Sequence, residues 1–432
     1  MSVIYYNGVI VTMNSNLDVY NGFLHIEGDK IKQIGEGLPD TIDKDTTLVD
    51  LNGKWVLPGL INTHGHTGMS LLRGYSDDLP LESWLKEKMW PMEAKLDKES
   101  VKAASSLAIL EMMKTGTTTF LDMYHIFLDE IANLVDESGL RAVITRGMIG
   151  LCSEVEQLAK LDEAVSFATN WRGQADGRIQ TMLSPHAPYT CPPSFIEMIV
   201  EKAKENELPI HIHLSETKKE VEDHIAQYGI RPVEHLLSLG VFSMPTLIAH
   251  GVHVNDEEID ILASNNVAVS HNPMSNLKLG SGIAPIPKMI KQGVLVALGT
   301  DSVASNNNLD VFQELRMAAL IHKGNTYNST VITATEALQF ATVNGAKALQ
   351  NNNIGSLTEG NEADFITIDP SKHPHLQPKE HIISHIVYSA SGADVCDVYV
   401  KGKQLMKDRN CLTVDEERII FEANKQYNRI QA

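Results

Sequence analysis

The sequence predicts an α/β protein: a (β/α)8 barrel made by the middle of the chain, with a small β domain built from both chain ends. Three observations predict it. Between about residues 57 and 355, short apolar runs alternate eight times with helical stretches. Both ends are instead rich in β-forming residues and turn signals. Polar, metal-capable side chains recur at the carboxyl ends of six predicted strands, the end at which a barrel carries its active site.

Taken in order, Tyr5–Thr12 is β-rich around a turn-forming Asn7-Gly8, and Gly22–Ile31 continues the pattern. The expected barrel strands are Val56–Leu60, Thr117–Asp122, Ala142–Thr145, Ile179–Leu183, Pro209–His213, Thr246–Ala249, Val267–Ser270 and Val294–Leu298. Amphipathic helices are expected between them, among them Lys98–Met113, Ser194–Glu205 and Asp256–Ser264. At the far end, Ala363–Asp369 reads as a strand and Asp397–Leu405 as strand, turn and strand. The expected division is a composite β domain from 1–56 plus 357–432 and a barrel from 57–356. An open doubly wound sheet is the rival, but no G-x-G-x-x-G follows the first barrel strand.

Composition narrows the function. The 432 residues are 43% hydrophobic and 21% charged, which excludes a disordered or fibrous chain. Acidic residues outnumber basic ones 55 to 36, a net charge of -19 that argues against nucleic acid or an anionic membrane as partner. Four scattered cysteines without a C-x-x-C pair read as reduced and intracellular. No signal-peptide pattern and no membrane-spanning apolar run is found, so the expected location is cytoplasmic. A homo-oligomer is compatible with the sequence but nothing in it requires one.

The strand ends carry the chemistry. They read Asn62-Thr63-His64-Gly65-His66, Ser184-Pro185-His186, His211-Ile212-His213-Leu214-Ser215-Glu216, Ala249-His250, Ser270-His271-Asn272 and Gly299-Thr300-Asp301. Residues two apart on an extended segment share a face, so His64 and His66 can hold one ion together. A third imidazole from strand five and a carboxylate from strand eight would complete an N,N,N,O set with room for water, suited to zinc or iron. The pair alone decides nothing in a chain with 17 histidines. His373-Pro374-His375 is such a pair in a polar loop and is given no role.

In these stretches the sequence resembles the amidohydrolase superfamily over essentially its whole length. Pro58–His66 matches the entry to the barrel, and Leu357–Asp364 matches the return into a split β-sandwich domain. Within the superfamily it resembles the deaminases of 5-methylthioadenosine and S-adenosylhomocysteine, through Trp90-Pro91-Met92-Glu93, Ser184–Tyr189, His211–Thr217 and Ser270–Leu279. The resemblance implies a metal-dependent hydrolase barrel in which His64, His66, His213 and Asp301 bind one divalent ion, zinc first, with iron, nickel or manganese as alternatives. His213 is preferred over His211 because it precedes Glu216 by three, and His211 is read as a buried, hydrogen-bonded histidine one layer deeper. No lysine ends strand two or strand four, which favours one metal over a carboxylate-bridged pair.

The implied reaction is hydrolytic loss of the adenine 6-amino group as ammonia. The metal would make a water reactive near neutral pH. Asp301 would take its proton, His250 would hold it and stabilise developing charge, and Glu216 would protonate the ring nitrogen beside the attacked carbon. Glu216 also reads as part of a helix cap, Ser215-Glu216-Thr217. For the substrate, a nucleoside thioether, the resemblance implies ribose contacts from Glu93, contacts near ribose and purine from His186, and Arg146 at the distal tail. The second arginine of some relatives is not matched, since 151–162 holds only Lys160 as a cation. Trp84, Trp90, Met69, Met89 and Met92 are candidates for an apolar wall, with plain core packing as the alternative. Two other functions are carried alongside: the same chemistry on adenosine, guanine, cytosine or a triazine, and a non-catalytic binding protein. The motifs of the H-x-E and P-C-x-x-C deaminases, the H-E-x-x-H proteases and the Walker loop are absent.

Overall fold

A computed structural model describes residues 2–431. Its strands are β1 (Ser2–Val11), β2 (Val19–Glu27), β3 (Lys30–Glu36), β4 (Thr47–Asp50), β5 (Trp55–Pro58), β6 (Leu60–Asn62), β7 (Thr117–Tyr124), β8 (Arg141–Met148) and β9 (Ile179–Pro185). They continue with β10 (Ile210–Leu214), β11 (Thr246–His250), β12 (Ala268–His271), β13 (Leu295–Leu298), β14 (Phe365–Ile368), β15 (Val395–Val400), β16 (Lys403–Lys407) and β17 (Asn410–Cys411). Strands β6 to β13 form one parallel eight-stranded sheet in chain order. Its two edges meet where the Thr63 amide donates to the Leu298 carbonyl (2.8 Å) and the Asp301 amide to the His64 carbonyl (3.0 Å), which closes the barrel. Strands β7 and β8 are buried along their whole length, as expected for a sheet covered on both faces. Ile61, Leu121, Val143, Met182, Leu247, Ala268 and Ala297 pack together as one apolar cluster contributed by successive strands.

The helices start where their caps say. Asp97 accepts from the Ser100 amide ahead of Lys98–Lys114, and Asn255 from the Glu258 amide ahead of Asp256–Ser264. The two chain ends share a nine-stranded mixed sheet ordered β17-β16-β15-β14-β5-β1-β2-β3, with β4 beside β1. Tyr5, Phe365 and Tyr399 form its aromatic centre; Phe365 and Tyr399 stack at 4.2 Å.

Three readings change. The expected first barrel strand, Val56–Leu60, is two strands: Trp55–Pro58 pairs with β1 and β14 in the chain-end sheet, and only Leu60–Asn62 enters the barrel. Gly59 is the crossing point, and a Cβ there would stand 2.1 Å from the Thr118 side chain. A short apolar run does not reveal which sheet takes it. Asn7-Gly8 is a bulge inside β1 instead of a hairpin turn, with Asn7 at φ 57 and the register to β2 shifting between Tyr5 and Gly8. The last helix, Glu416–Gln431, lies on the barrel helix Lys98–Lys114 and is tied to it by a Lys114–Glu416 ion pair of 2.9 Å. Among the described residues no helix is long and apolar enough to cross a membrane, and the four cysteines are unpaired.

Candidate active site

The carboxyl ends of the barrel strands converge on one cavity of about 470 Å³. Its wall includes His66, His186, His213, His250, Glu216 and Asp301 on one side and Trp84, Trp90, Glu93 and Tyr124 on another. That volume lies within the roughly 300–1,000 Å³ common for small-molecule sites.

At its floor, Asp301 Oδ1 stands 3.3 Å from His64 Nε2 and 3.2 Å from His66 Nε2, and His213 Nε2 is 3.4 Å from His66 Nε2. The other ring nitrogens are held from behind. His66 Nδ1 donates to the Met123 carbonyl (2.6 Å) and His213 Nδ1 to the His186 carbonyl (2.8 Å). His64 Nδ1 donates to His211 Nε2 (2.9 Å), whose own Nδ1 donates to the Leu247 carbonyl (2.9 Å). Each anchor turns an Nε2 toward the cluster around Asp301 Oδ1, the arrangement that fixes orientation behind metal-bound imidazoles. His64 Nε2 is buried with no hydrogen-bond partner. One atom each from His64, His66 and Asp301 lies within 4.8 Å of the others, and the same holds for His64, His213 and His250. The donor chemistry therefore fits a borderline divalent metal.

Electrostatics agree. Burial lowers His64 to about 4 and takes His213 well below its ordinary value, so both imidazoles are neutral bases. Burial lowers His66 as well, but its hydrogen bond to Asp301 and that carboxylate's charge outweigh it and raise the net value. Burial pushes Asp301 up, and the His64 and His66 imidazoles beside its Oδ1 overcome this and hold it well below the carboxylate range. Its second oxygen, Oδ2, accepts from Ser275 Oγ (2.6 Å) and Ser305 Oγ (2.9 Å). Two residues here hold left-handed backbone, His250 at φ 75 and Asp301 at φ 61, a strain typical of functional sites. Gly299 makes the approach of β13 to β6 feasible, because a Cβ would meet Asn272 Oδ1 at 2.5 Å and His64 Cβ at 2.8 Å.

Above the floor, His250 Nδ1 donates to Asn276 Oδ1 (2.8 Å), leaving its Nε2 as an acceptor 3.9 Å from Glu216 Oε2. Burial raises Glu216, and Ser281 Oγ donates to its Oε1 at 3.3 Å. The cap reading of Ser215–Thr217 is also present in the structure. Thr217 caps the helix Lys218–Tyr228, and Glu220 accepts from the Ser215 and Glu216 amides (2.9 and 2.7 Å), which leaves the Glu216 side chain free for the cavity. Burial raises Glu93 to about 7, and Tyr124 Oη donates to it at 3.2 Å. Burial lowers His186 to about 3, and its Nδ1 is held by Thr190 Oγ1 at 3.0 Å.

The structure departs from the sequence reading at the tail end. Arg146 is buried, is bound to Glu163 at 2.7 Å on the following helix, and is not part of the cavity wall. The strand that carries it is buried on both faces, so end position did not decide which way the side chain turns. Of the apolar candidates, Met69, Trp84 and Trp90 line the cavity, whereas Met89 and Met92 are core. Tyr124 and His125 line it too and were missed; a tyrosine and a histidine directly after Asp122-Met123 at a strand end were the available signal.

A barrel with this floor is the architecture of metal-dependent hydrolases, and comparison places it. The chain belongs to the amidohydrolase family, whose model matches residues 55–405. It is 54% identical to a 5-methylthioadenosine/S-adenosylhomocysteine deaminase of Halalkalibacterium halodurans, over all of this chain and 99% of the relative. It is 51% identical to a protein of the same name from Shouchella clausii, over the full length of both. Among solved structures it resembles an adenosine deaminase from Xanthomonas campestris with bound zinc, at a TM-score of 0.92 and 32% identity, covering 99% of this chain and 98% of that one.

Proposed function

We propose that this chain is a hydrolytic deaminase that removes the adenine 6-amino group of 5-methylthioadenosine and S-adenosylhomocysteine, giving the inosyl product and ammonia. The observation that carries it is one cavity with a His/Asp cluster at its floor, Glu216 and His250 above it, and a raised, tyrosine-bound Glu93 in its wall. The full-length relatives named for this activity support the substrate class. His64, His66, His213 and Asp301 would hold one divalent ion, zinc by the donor set and by the zinc-bearing neighbour. When bound, it supplies a water made acidic enough to attack near neutral pH.

The chain's own groups do the rest. His250, protonated on Nδ1 toward Asn276, offers Nε2 to hold and orient the water. Asp301 accepts one proton of the water on Oδ2 and passes it to the departing amino group, which leaves as ammonia. This needs one serine hydroxyl to turn away, and Ser275 can donate to Ser305 Oγ, 3.0 Å off, instead. Glu216, whose proton burial helps to retain, gives that proton to the ring nitrogen beside the attacked carbon and takes back the remaining proton of the attacking oxygen as the carbonyl forms. Glu93 accepts from the ribose hydroxyls and His186 contacts the ribose side of the purine, while Trp90, Trp84 and Met69 face the apolar parts. An uncharged methylthio tail suits the wall as built. An amino-acid tail that uses Arg146 must displace Glu163, whose side chain is 56% exposed.

The test is incubation of metal-replete protein with S-adenosylhomocysteine, 5-methylthioadenosine and adenosine, following the adenine-to-hypoxanthine absorbance change and ammonia. No turnover of any of the three would sink the proposal. Undiminished activity of Glu93→Ala on a free heterocycle would point to a ring without ribose.

A further inference from the structure

Of the chain's three His-x-His pairs, at 64/66, 211/213 and 373/375, the last is not used by the barrel. His373 and His375 lie in the segment between β14 and β15, on two short turns at Pro370–Lys372 and Pro374–Leu376. The folded chain brings both rings to a single carboxylate contributed from just before β15. His373 Nδ1 is 3.2 Å from Asp394 Oδ1, and His375 Nε2 is 3.1 Å from Asp394 Oδ2. One ligand atom from each of the three lies within 4.8 Å of the others.

We propose that His373, His375 and Asp394 form a second cation site, remote in sequence from the barrel-mouth ligands, for a borderline first-row divalent ion such as zinc or nickel. Two imidazoles and a carboxylate are the ligand types these ions prefer. Nitrogen and oxygen each about 2.0–2.1 Å from one ion stand roughly 3.0–3.4 Å apart, and the separations of 3.2 and 3.1 Å, one to each carboxylate oxygen, lie in that range. Both halves are held in place. Pro374 fixes the backbone between the rings, Leu376 is buried, and Gln377 Nε2 closes the segment on the Pro370 carbonyl at 2.6 Å. Asp394 accepts from the Ser391 amide (2.8 Å) and hydroxyl (3.2 Å), both on Oδ2, so among the described residues Oδ1 has only His373 as a partner.

The Arg409 guanidinium spends its hydrogen bonds on the carbonyls of Lys114, Gly392, Ala393 and Val395 and none on Asp394. The imidazoles are 26% and 47% exposed while Asp394 is 3% exposed, so water can fill the remaining coordination positions. This differs from the barrel floor, where the ligands are shut in.

The test is a Zn2+ titration of the holoenzyme, with metal content after dialysis measured alongside calorimetry. Wild type is expected to bind one equivalent more than the His373→Ala/His375→Ala double variant, whatever the barrel holds. Each single variant should weaken that equivalent at least tenfold, and all three variants should keep turnover within twofold. A wild-type protein with the same stoichiometry and affinity as the double variant overturns the proposal. So does uptake that persists unchanged in both single variants. Circular dichroism of the variants checks that the fold is intact.

Discussion

Two His-x-His pairs with the same spacing sit in opposite settings in this chain. His64 and His66 close a barrel strand, with each Nδ1 anchored behind and Asp301 between their Nε2 atoms. His373 and His375 ride on proline turns at the surface and share Asp394. The difference teaches that spacing brings two imidazoles to one side, while surroundings decide what they can do. The barrel pair lies at a cavity whose wall also carries Glu216 and His250. The surface pair has a carboxylate and solvent beside it, which suits the holding of an ion.

Breaking the barrel pair should have the largest effect. Chelation, or His66→Ala, is expected to abolish deamination, and Zn2+ should restore the chelated protein but not the variant; residual activity near wild type would remove the metal from the proposal. Next comes Glu216→Gln, which keeps the shape but not the proton. Its kcat should fall about 10²–10⁴-fold with bound metal unchanged, and a fall in metal content would make it a structural residue instead.

The third prediction concerns what joins the two regions. Arg141, at the start of β8, is 3% exposed and binds Asp364 at 2.5 Å and Glu362, both in the segment that leads into β14. Arg141→Ala leaves Asp364, 2% exposed, without its charge partner and should cost roughly 3–5 kcal/mol in denaturant unfolding. A loss under about 1 kcal/mol would mean that the contact is incidental.

The smallest effect is a slope. Burial raises Glu93 to about 7, so its carboxyl is neutral below that pH and ionised above it. If the ionised form binds the ribose hydroxyls, KM for a nucleoside should fall as pH rises from 6 to 8, approaching about tenfold per unit on the acid side. Glu93→Gln should flatten that profile, and a wild-type KM that does not change with pH would exclude this role.

Much of the site was legible because a barrel orders its strand ends. Once His64, His66, His213, His250 and Asp301 were assigned to such ends, their meeting followed from the fold. Glu216 was legible by its distance from His213. The direction of a side chain was not: Arg146 ends its strand as expected yet turns onto Glu163. Nor was the partner of a loop residue, since nothing local links His373 to Asp394.

By itself the sequence determined the eight-strand periodicity, the β character of both ends, the residues at the strand ends and the face shared by residues two apart. These depend on local geometry, which repeats along a strand. Only the tertiary structure decided that Trp55–Pro58 joins the chain-end sheet and that His211 sits behind His64. It alone directed Asp301 Oδ2 to Ser275 and Ser305, and placed Tyr124 against Glu93. Those outcomes depend on rotamers and on contacts between segments far apart in the chain, chosen by packing and by the need to satisfy buried polar atoms.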